Sequence, residues 1–185
     1  MLLIPGTHDP TMLIGAHQTV LTEEVIPARF EAYPDSPYRP GYDWLFLYER
    51  RIAAFLEKWL SRTLRYELIG EKGLLCEALS NAFYHGHQRD PQRPIGMRVL
   101  VGEHGLIVHI ADSGPGFDVA AVIDDYFKRR QYYSSAGNGL RLMDQSTRFA
   151  VYYNQPGNIF SLLYRFDGAY DSFNLKRPIP YGDAS

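Results

Sequence analysis

Glu77-Ala-Leu-Ser-Asn81-Ala-Phe-Tyr-His85-Gly86 places a carboxylate, an amide and an imidazole at positions i, i+4 and i+8. On an α-helix such positions stack along nearly one face. The surrounding Leu74, Leu75, Ala78, Leu79, Ala82 and Phe83 are apolar, so the spacing predicts a largely buried helix that keeps one polar stripe. Burying Glu and Asn without partners is unfavourable. The stripe is therefore expected to face a cleft or a ligand, with Glu77 suited to general-base work beside a metal-coordinating amide, Asn81. The plainer alternative is a buried helix whose Glu and Asn bond to neighbouring loops. His85 reads as a packing or helix-end residue.

Working outward, this helix is expected to run from about Glu67 to His85, with Gly86 as its C-terminal cap. Upstream, Trp44, Leu45, Leu47, Tyr48, Ile52, Phe55, Leu56, Trp59 and Leu60 recur at helical spacing and predict another helix over 42–60. Downstream, 97–103 and 106–112 predict a hairpin turning at His104-Gly105. A helix from Val119 to Arg130 and a short one over 140–146 follow. A second hairpin, 148–153 with 159–165, turns through Asn154-Gln-Pro-Gly-Asn158. Residues 1–42 are punctuated by prolines, with short strands expected at Thr19–Thr22 and Ala28–Tyr33, and 167–185 read as a tail. Helices gathered against hairpins point to an α+β fold, a two-layer sandwich with helices on one face of a mainly antiparallel sheet.

Composition narrows the class. The 185 residues suit one compact domain, and the 45% apolar fraction can furnish a core. A net charge of −2 with no basic block gives no electrostatic footprint for nucleic acid. Cys76 is the only cysteine, which excludes an internal disulfide and any multi-cysteine metal site, and it reads as core packing. The apolar run Met1–Ile4 stops at Pro5-Gly6, too short for a signal segment or membrane span, so a soluble, cytoplasmic protein with no membrane partner is expected.

Two further motifs carry chemistry. Asp112-Ser-Gly114-Pro-Gly116-Phe117 ends a hydrophobic strand, where a rigidly held carboxylate can accept from an amine such as that of a purine. Gly114 and Gly116 let a flat ligand approach the chain. Alone, the motif reads more readily as a glycine turn whose Asp bonds its own loop amides. Gly137-Asn138-Gly139-Leu140 opens a helix, and free amides there make an anion site, or else a plain loop-to-helix junction. Between them lie Lys128, Arg129 and Arg130, a basic segment placed either to close over phosphates or to form a solvated helix face.

Taken in order, the Glu77/Asn81 helix, the Asp112 strand end, the variable basic segment and the Gly137–Leu140 helix start resemble the GHKL ATPases. These include gyrase, mismatch-repair proteins, a heat-shock chaperone and histidine kinases. The resemblance covers residues 43–166 and implies the Bergerat ATP-binding fold, helices packed on one face of a mixed sheet. Within the superfamily the chain is most similar to anti-sigma factor serine kinases, which share Glu, then Asn, then His at this spacing. Histidine kinases usually carry Asn where this chain has Glu77, and they need an upstream phosphoacceptor domain.

The resemblance implies ATP and Mg²⁺ as cofactors and assigns roles. Glu77 would be the general base and Asn81 the magnesium ligand. Asp112 would hold the adenine amine, with Gly114, Gly116 and Phe117 shaping the pocket. Arg129 and Arg130 would meet the phosphates, as would Gly137, Asn138, Gly139 and the amide of Leu140. Many relatives carry Gly-Thr in the last hairpin, where Thr helps hold adenine; here Asn158 must substitute or the contact is lost. The implied partners are an antagonist protein, phosphorylated on serine, and a sigma factor, with a homodimer as the implied assembly. A non-catalytic ATP-binding switch and a histidine-kinase-type ATPase domain are the alternatives.

Overall fold

The predicted hairpins pair into one six-stranded sheet. Residues 3–4, 9–30, 43–60, 65–70, 73–128, 138–146 and 148–167 are described, in a computed structural model. The strands are β1 (Leu3–Ile4), β2 (His17–Val25), β3 (Ile95–Gly102), β4 (Gly105–Ala111), β5 (Ala150–Tyr153) and β6 (Ile159–Arg165). They lie in the order β1-β5-β6-β4-β3-β2. Only β1 pairs in parallel, with β5; the other pairs are antiparallel. The expected mixed, mainly antiparallel sheet is therefore what forms, and it draws in strands from the proline-punctuated N-terminal stretch.

Register explains the layering. Val151, Leu162, Val108, Val99 and Leu21 stand opposite one another across five strands, all on one face. Their burial against helices makes this row the floor of the main core. Two residues along, Tyr153, Phe160, Ile110 and Met97 form the next row. β4 is buried on both faces, because Ile107 joins Ile14, Leu100, Ala150, Tyr152 and Leu163 in a smaller cluster on the opposite side. A central strand with two covered faces reads as a continuous apolar run rather than a clean alternation.

The helices are α1 (Asp43–Leu56), α2 (Arg65–Leu68), α3 (Leu74–Asn81), α4 (Val119–Lys128) and α5 (Asn138–Gln145). α1 lies against α3, with Trp44 meeting Phe83 edge-on at 5.5 Å between centroids. An Arg51–Glu23 pair at 2.6 Å ties α1 to β2. Leu74, Leu75, Ala78, Leu79, Ala82 and Phe83 are all buried, as their spacing requires, and Cys76 packs half-buried beside them.

The structure corrects three expected boundaries. The helix over 67–85 is broken near Gly70, whose left-handed φ of +89° and N–H bond to Glu49 end α2. After Asn81 the chain widens into one π-helical turn, Ala82–Gly86, closed by His87 N–H donating to the Ala82 carbonyl at 2.9 Å. Gly86 is not a left-handed cap. That conformation falls on Gln88 and Arg89, at φ +54° and +66°, each strained by on the order of 1 kcal/mol. Finally, Ala28 and Arg29 lie in a 3-10 turn, Pro27–Arg29, instead of starting the expected strand, and the Phe30 N–H closes that turn on the Pro27 carbonyl. The rest of that expected strand, 31–33, lies outside the described residues.

Candidate active site

Glu77, Asn81, Asp112 and the α5 start converge on one cavity of about 640 Å³. That lies within the roughly 300–1,000 Å³ of small-molecule sites. Its floor is the Tyr153–Phe160–Ile110 row, and its walls are α3 with the π turn, the Asp112 loop and α5. π turns recur at functional sites because the extra residue re-aims the helix face. Here the turn brings His85 and Gly86 to the cavity; His85 is exposed in the last turn of the helical segment, the helix-end reading and not the packing one.

Asn81 Nδ2 donates to Glu77 Oε1 at 3.1 Å, so the i, i+4 pair does align as predicted. Burial pushes the Glu77 carboxyl above the usual range, opposed by the Asn81 N–H and by nearby His85. A carboxylate shifted upward is a better general base. Gly139, at the start of α5, packs directly on it: a Cβ built there would lie 2.6 Å from Glu77 Cδ. Only glycine lets the N-terminal backbone of α5, with its partial positive charge, come this close. Leu140 also lines the cavity.

Asp112 follows β4 directly. Its N–H donates to the Asn158 carbonyl at 3.0 Å, and its Oδ1 accepts the Gly114 N–H at 2.8 Å. The plain loop reading of this motif is thus seen at one oxygen, Oδ1, which the loop engages. Burial raises the Asp112 carboxyl, while the Gly114 N–H, His87 and Arg93 oppose the rise. Gly86 lies against this carboxylate, since a Cβ there would come within 2.6 Å of Oδ2. That close approach, and not helix capping, is what the glycine does. Gly116, at φ +73°, seats the loop on the Pro156 carbonyl, which accepts the Phe117 N–H at 2.9 Å. Phe117 then meets Tyr153 edge-on at 5.1 Å.

Other expected residues stand apart or beyond view. Gly114 supports the loop behind the cavity, packed on the Gly86 carbonyl. The Asn158 side chain is taken up by the hairpin turn, its Oδ1 accepting from Asn154 Nδ2 at 2.8 Å. Lys128 pairs with Asp124 on the exposed side of α4, the solvated-face reading. Asn138 opens α5, while Arg129, Arg130 and Gly137 lie outside the described residues.

Sequence reasoning missed Tyr153, His87 and Arg93. The Tyr153 hydroxyl is raised far above its usual pKa, first by burial and then by Glu77 and Asp112, with Asn81 opposing. It therefore stays protonated beside the Glu77/Asn81 pair. The period-2 pattern of β5, with Val151 inward, was the signal that could have found it.

The sequence model of the histidine kinase-like ATPase domain matches residues 48–162. The chain belongs to this family. The α+β sandwich and the ordered site motifs agree with that membership, and the ATPase domain implies ATP as its ligand. The domain is also 28% identical over 96 residues to an anti-sigma F factor of Heyndrickxia coagulans, covering 51% of this chain and 64% of that one. It is 30% identical over 94 residues to an anti-sigma F factor of Anoxybacillus flavithermus (strain DSM 21510 / WK1), covering 50% and 63%. The chain thus spans a little under two thirds of these curated relatives. Among the described residues, no helix is long and apolar enough to cross a membrane.

Proposed function

We propose that this ATPase domain is a magnesium-dependent protein serine kinase of the anti-sigma type, acting in the cytoplasm. It transfers the γ-phosphate of ATP to a serine of an antagonist protein and regulates a sigma factor. The observation that carries the proposal is the Glu77 carboxylate, held by Asn81 at 3.1 Å inside the cavity and faced by the start of α5. A base beside an anion-attracting helix start is the pairing phosphoryl transfer needs.

In this reading Asp112 accepts from the adenine amine, and Gly139 and Leu140 present α5 backbone to the phosphates. With its N–H committed to Glu77, Asn81 offers Oδ1, an uncharged oxygen of the kind magnesium takes. Bound magnesium supplies charge neutralisation at the phosphates. Glu77 takes the proton of the attacking serine hydroxyl, a contribution of about 10²–10⁴-fold in rate. The resemblance to anti-sigma F factors supports the choice of serine, and Glu77, where histidine kinases usually carry Asn, favours it over a histidine-kinase-type domain.

The test is a pulldown of partners from the native host, followed by phosphotransfer from labelled ATP to what is recovered. Glu77→Ala is expected to abolish transfer while ATP affinity stays roughly intact, whereas Asp112→Ala abolishes binding. Normal ATP binding by the Asp112 variant in calorimetry would overturn the site assignment.

A further inference from the structure

His87 lies just beyond the π turn and is 1% exposed, yet it has no part in the reaction described above. Its Nε2 accepts the Ser113 N–H at 3.1 Å and lies 3.3 Å from Ser113 Oγ. Arg93 holds the same residue from the other side, its guanidinium donating to the Ser113 carbonyl at 2.7 Å and to Oγ at 3.0 Å. The Ser113 nitrogen belongs to the peptide plane that leaves Asp112. Because that plane is rigid, fixing its N–H fixes the ψ of Asp112. The plane entering Asp112 is fixed by the sheet, through its N–H bond to the Asn158 carbonyl. Asp112 is thus clamped on one side by Asn158, the residue before β6, and on the other by His87, while Gly86 and Gly114 set its carboxylate rotamer.

The geometry points to His87 as a positioning residue for Asp112, and hence as a determinant of preference for a purine that carries an exocyclic amine. The inference rests on the ATP-site reading above. Accepting at Nε2 requires the ring to carry its proton on Nδ1 and to be neutral. Burial, first, and the Arg93 guanidinium favour that neutral form, against Asp112 and Asp90, the acidic groups that face it, and against a hydrogen bond with the Arg93 backbone. An apolar side chain here would leave the Ser113 N–H without its acceptor and free the Asp112 peptide to rotate.

The experiment compares ATP with purine riboside triphosphate, which lacks only the amine, by calorimetry with magnesium. Wild type, His87→Leu and His87→Gln are tested as the full chain. Wild type is expected to prefer ATP. His87→Leu should weaken ATP by about tenfold or more, the worth of one charge-assisted hydrogen bond, and change the amine-free analogue far less. His87→Gln places an acceptor near the position of Nε2 and should restore most of the preference. If His87→Leu fails to fold, His87→Asn, whose amide stops short of Ser113, carries the same expectation. Parallel loss of both nucleotides, or full preference kept in the Leu and Asn variants, overturns the assignment of His87 alone. A wild type that binds neither nucleotide overturns the ATP-site reading itself.

Discussion

Gly86→Ala is the sharpest test of how the site is built. In isolation the change favours folding, since Ala is better in a helical turn than Gly by about 0.8–1 kcal/mol. Here the added methyl would sit 2.6 Å from Asp112 Oδ2, where ordinary contact begins at 3.4 Å. Cγ and Oδ1 lie closer still, so the carboxylate must retreat by at least about 0.8 Å, the difference of those two distances. A hydrogen bond from adenine at roughly 2.9 Å would stretch to about 3.7 Å, which is no longer a bond. Losing a bond to a charged acceptor costs about 1.5–3 kcal/mol, or roughly 10- to 150-fold in affinity. Overpacking costs about 1–3 kcal/mol of stability, partly offset by the helix gain. The expected protein is folded, with a modestly shifted denaturation midpoint, and binds ATP at least tenfold more weakly in calorimetry. ATP affinity within threefold of wild type, in a folded variant, would refute the claim that Gly86 exists to admit Asp112.

Two more expectations concern the α3 stripe. Because burial raises the folded-state pKa of Glu77, the native protein holds its proton more tightly than the unfolded chain. Stability from this group therefore falls as pH rises through that window, and the penalty is complete above the folded value. Glu77→Gln removes it, so melting at neutral pH should shift upward while phosphotransfer is lost. The gap should close below the ordinary carboxylate pKa of about 4.3, and a lowered midpoint at pH 7 would contradict the sign. Asn81→Ala should abolish the magnesium dependence of ATP affinity: wild type weakens on chelation, the variant does not, as titrations with and without EDTA would record.

The sequence made the layers legible because they rest on periodicity. The 3.6-residue spacing of Trp44, Tyr48 and Ile52 and the apolar strands 97–103 and 106–112 each specify which face is buried, and α1, β3 and β4 follow. Glu77 and Asn81 were legible for the same reason, since i, i+4 pairing is local. What escaped were features fixed by partners distant in sequence. Gly86 looks like a cap until Asp112, from β4, is set against it. Asn158 looks like a ligand group until Asn154, across the turn, takes its side chain. His87 carries no signal in its own segment, and its partner Ser113 lies 26 residues away. The parallel pairing of β1 with β5 lies beyond any local pattern, because it joins Leu3 to Val151.

The same construction occurs twice in the cavity, and its repetition explains why the pocket is poised for a ligand. Glu77 and Asp112 each have one oxygen engaged, by Asn81 and by the Gly114 N–H. Each is overlain by a glycine from another segment, Gly139 and Gly86. Each is raised in pKa, first by burial. The free protein therefore carries two partly desolvated carboxylates whose ionised forms oppose folding. Under the proposed function, an adenine amine at Asp112 would restore a hydrogen bond that burial removed, and a serine proton moving to Glu77 would neutralise a charge the site disfavours. The energy withheld from the fold is returned at the two points where binding and transfer need it. A substitution that relieves either carboxylate should stabilise the chain and disable the step that carboxylate serves.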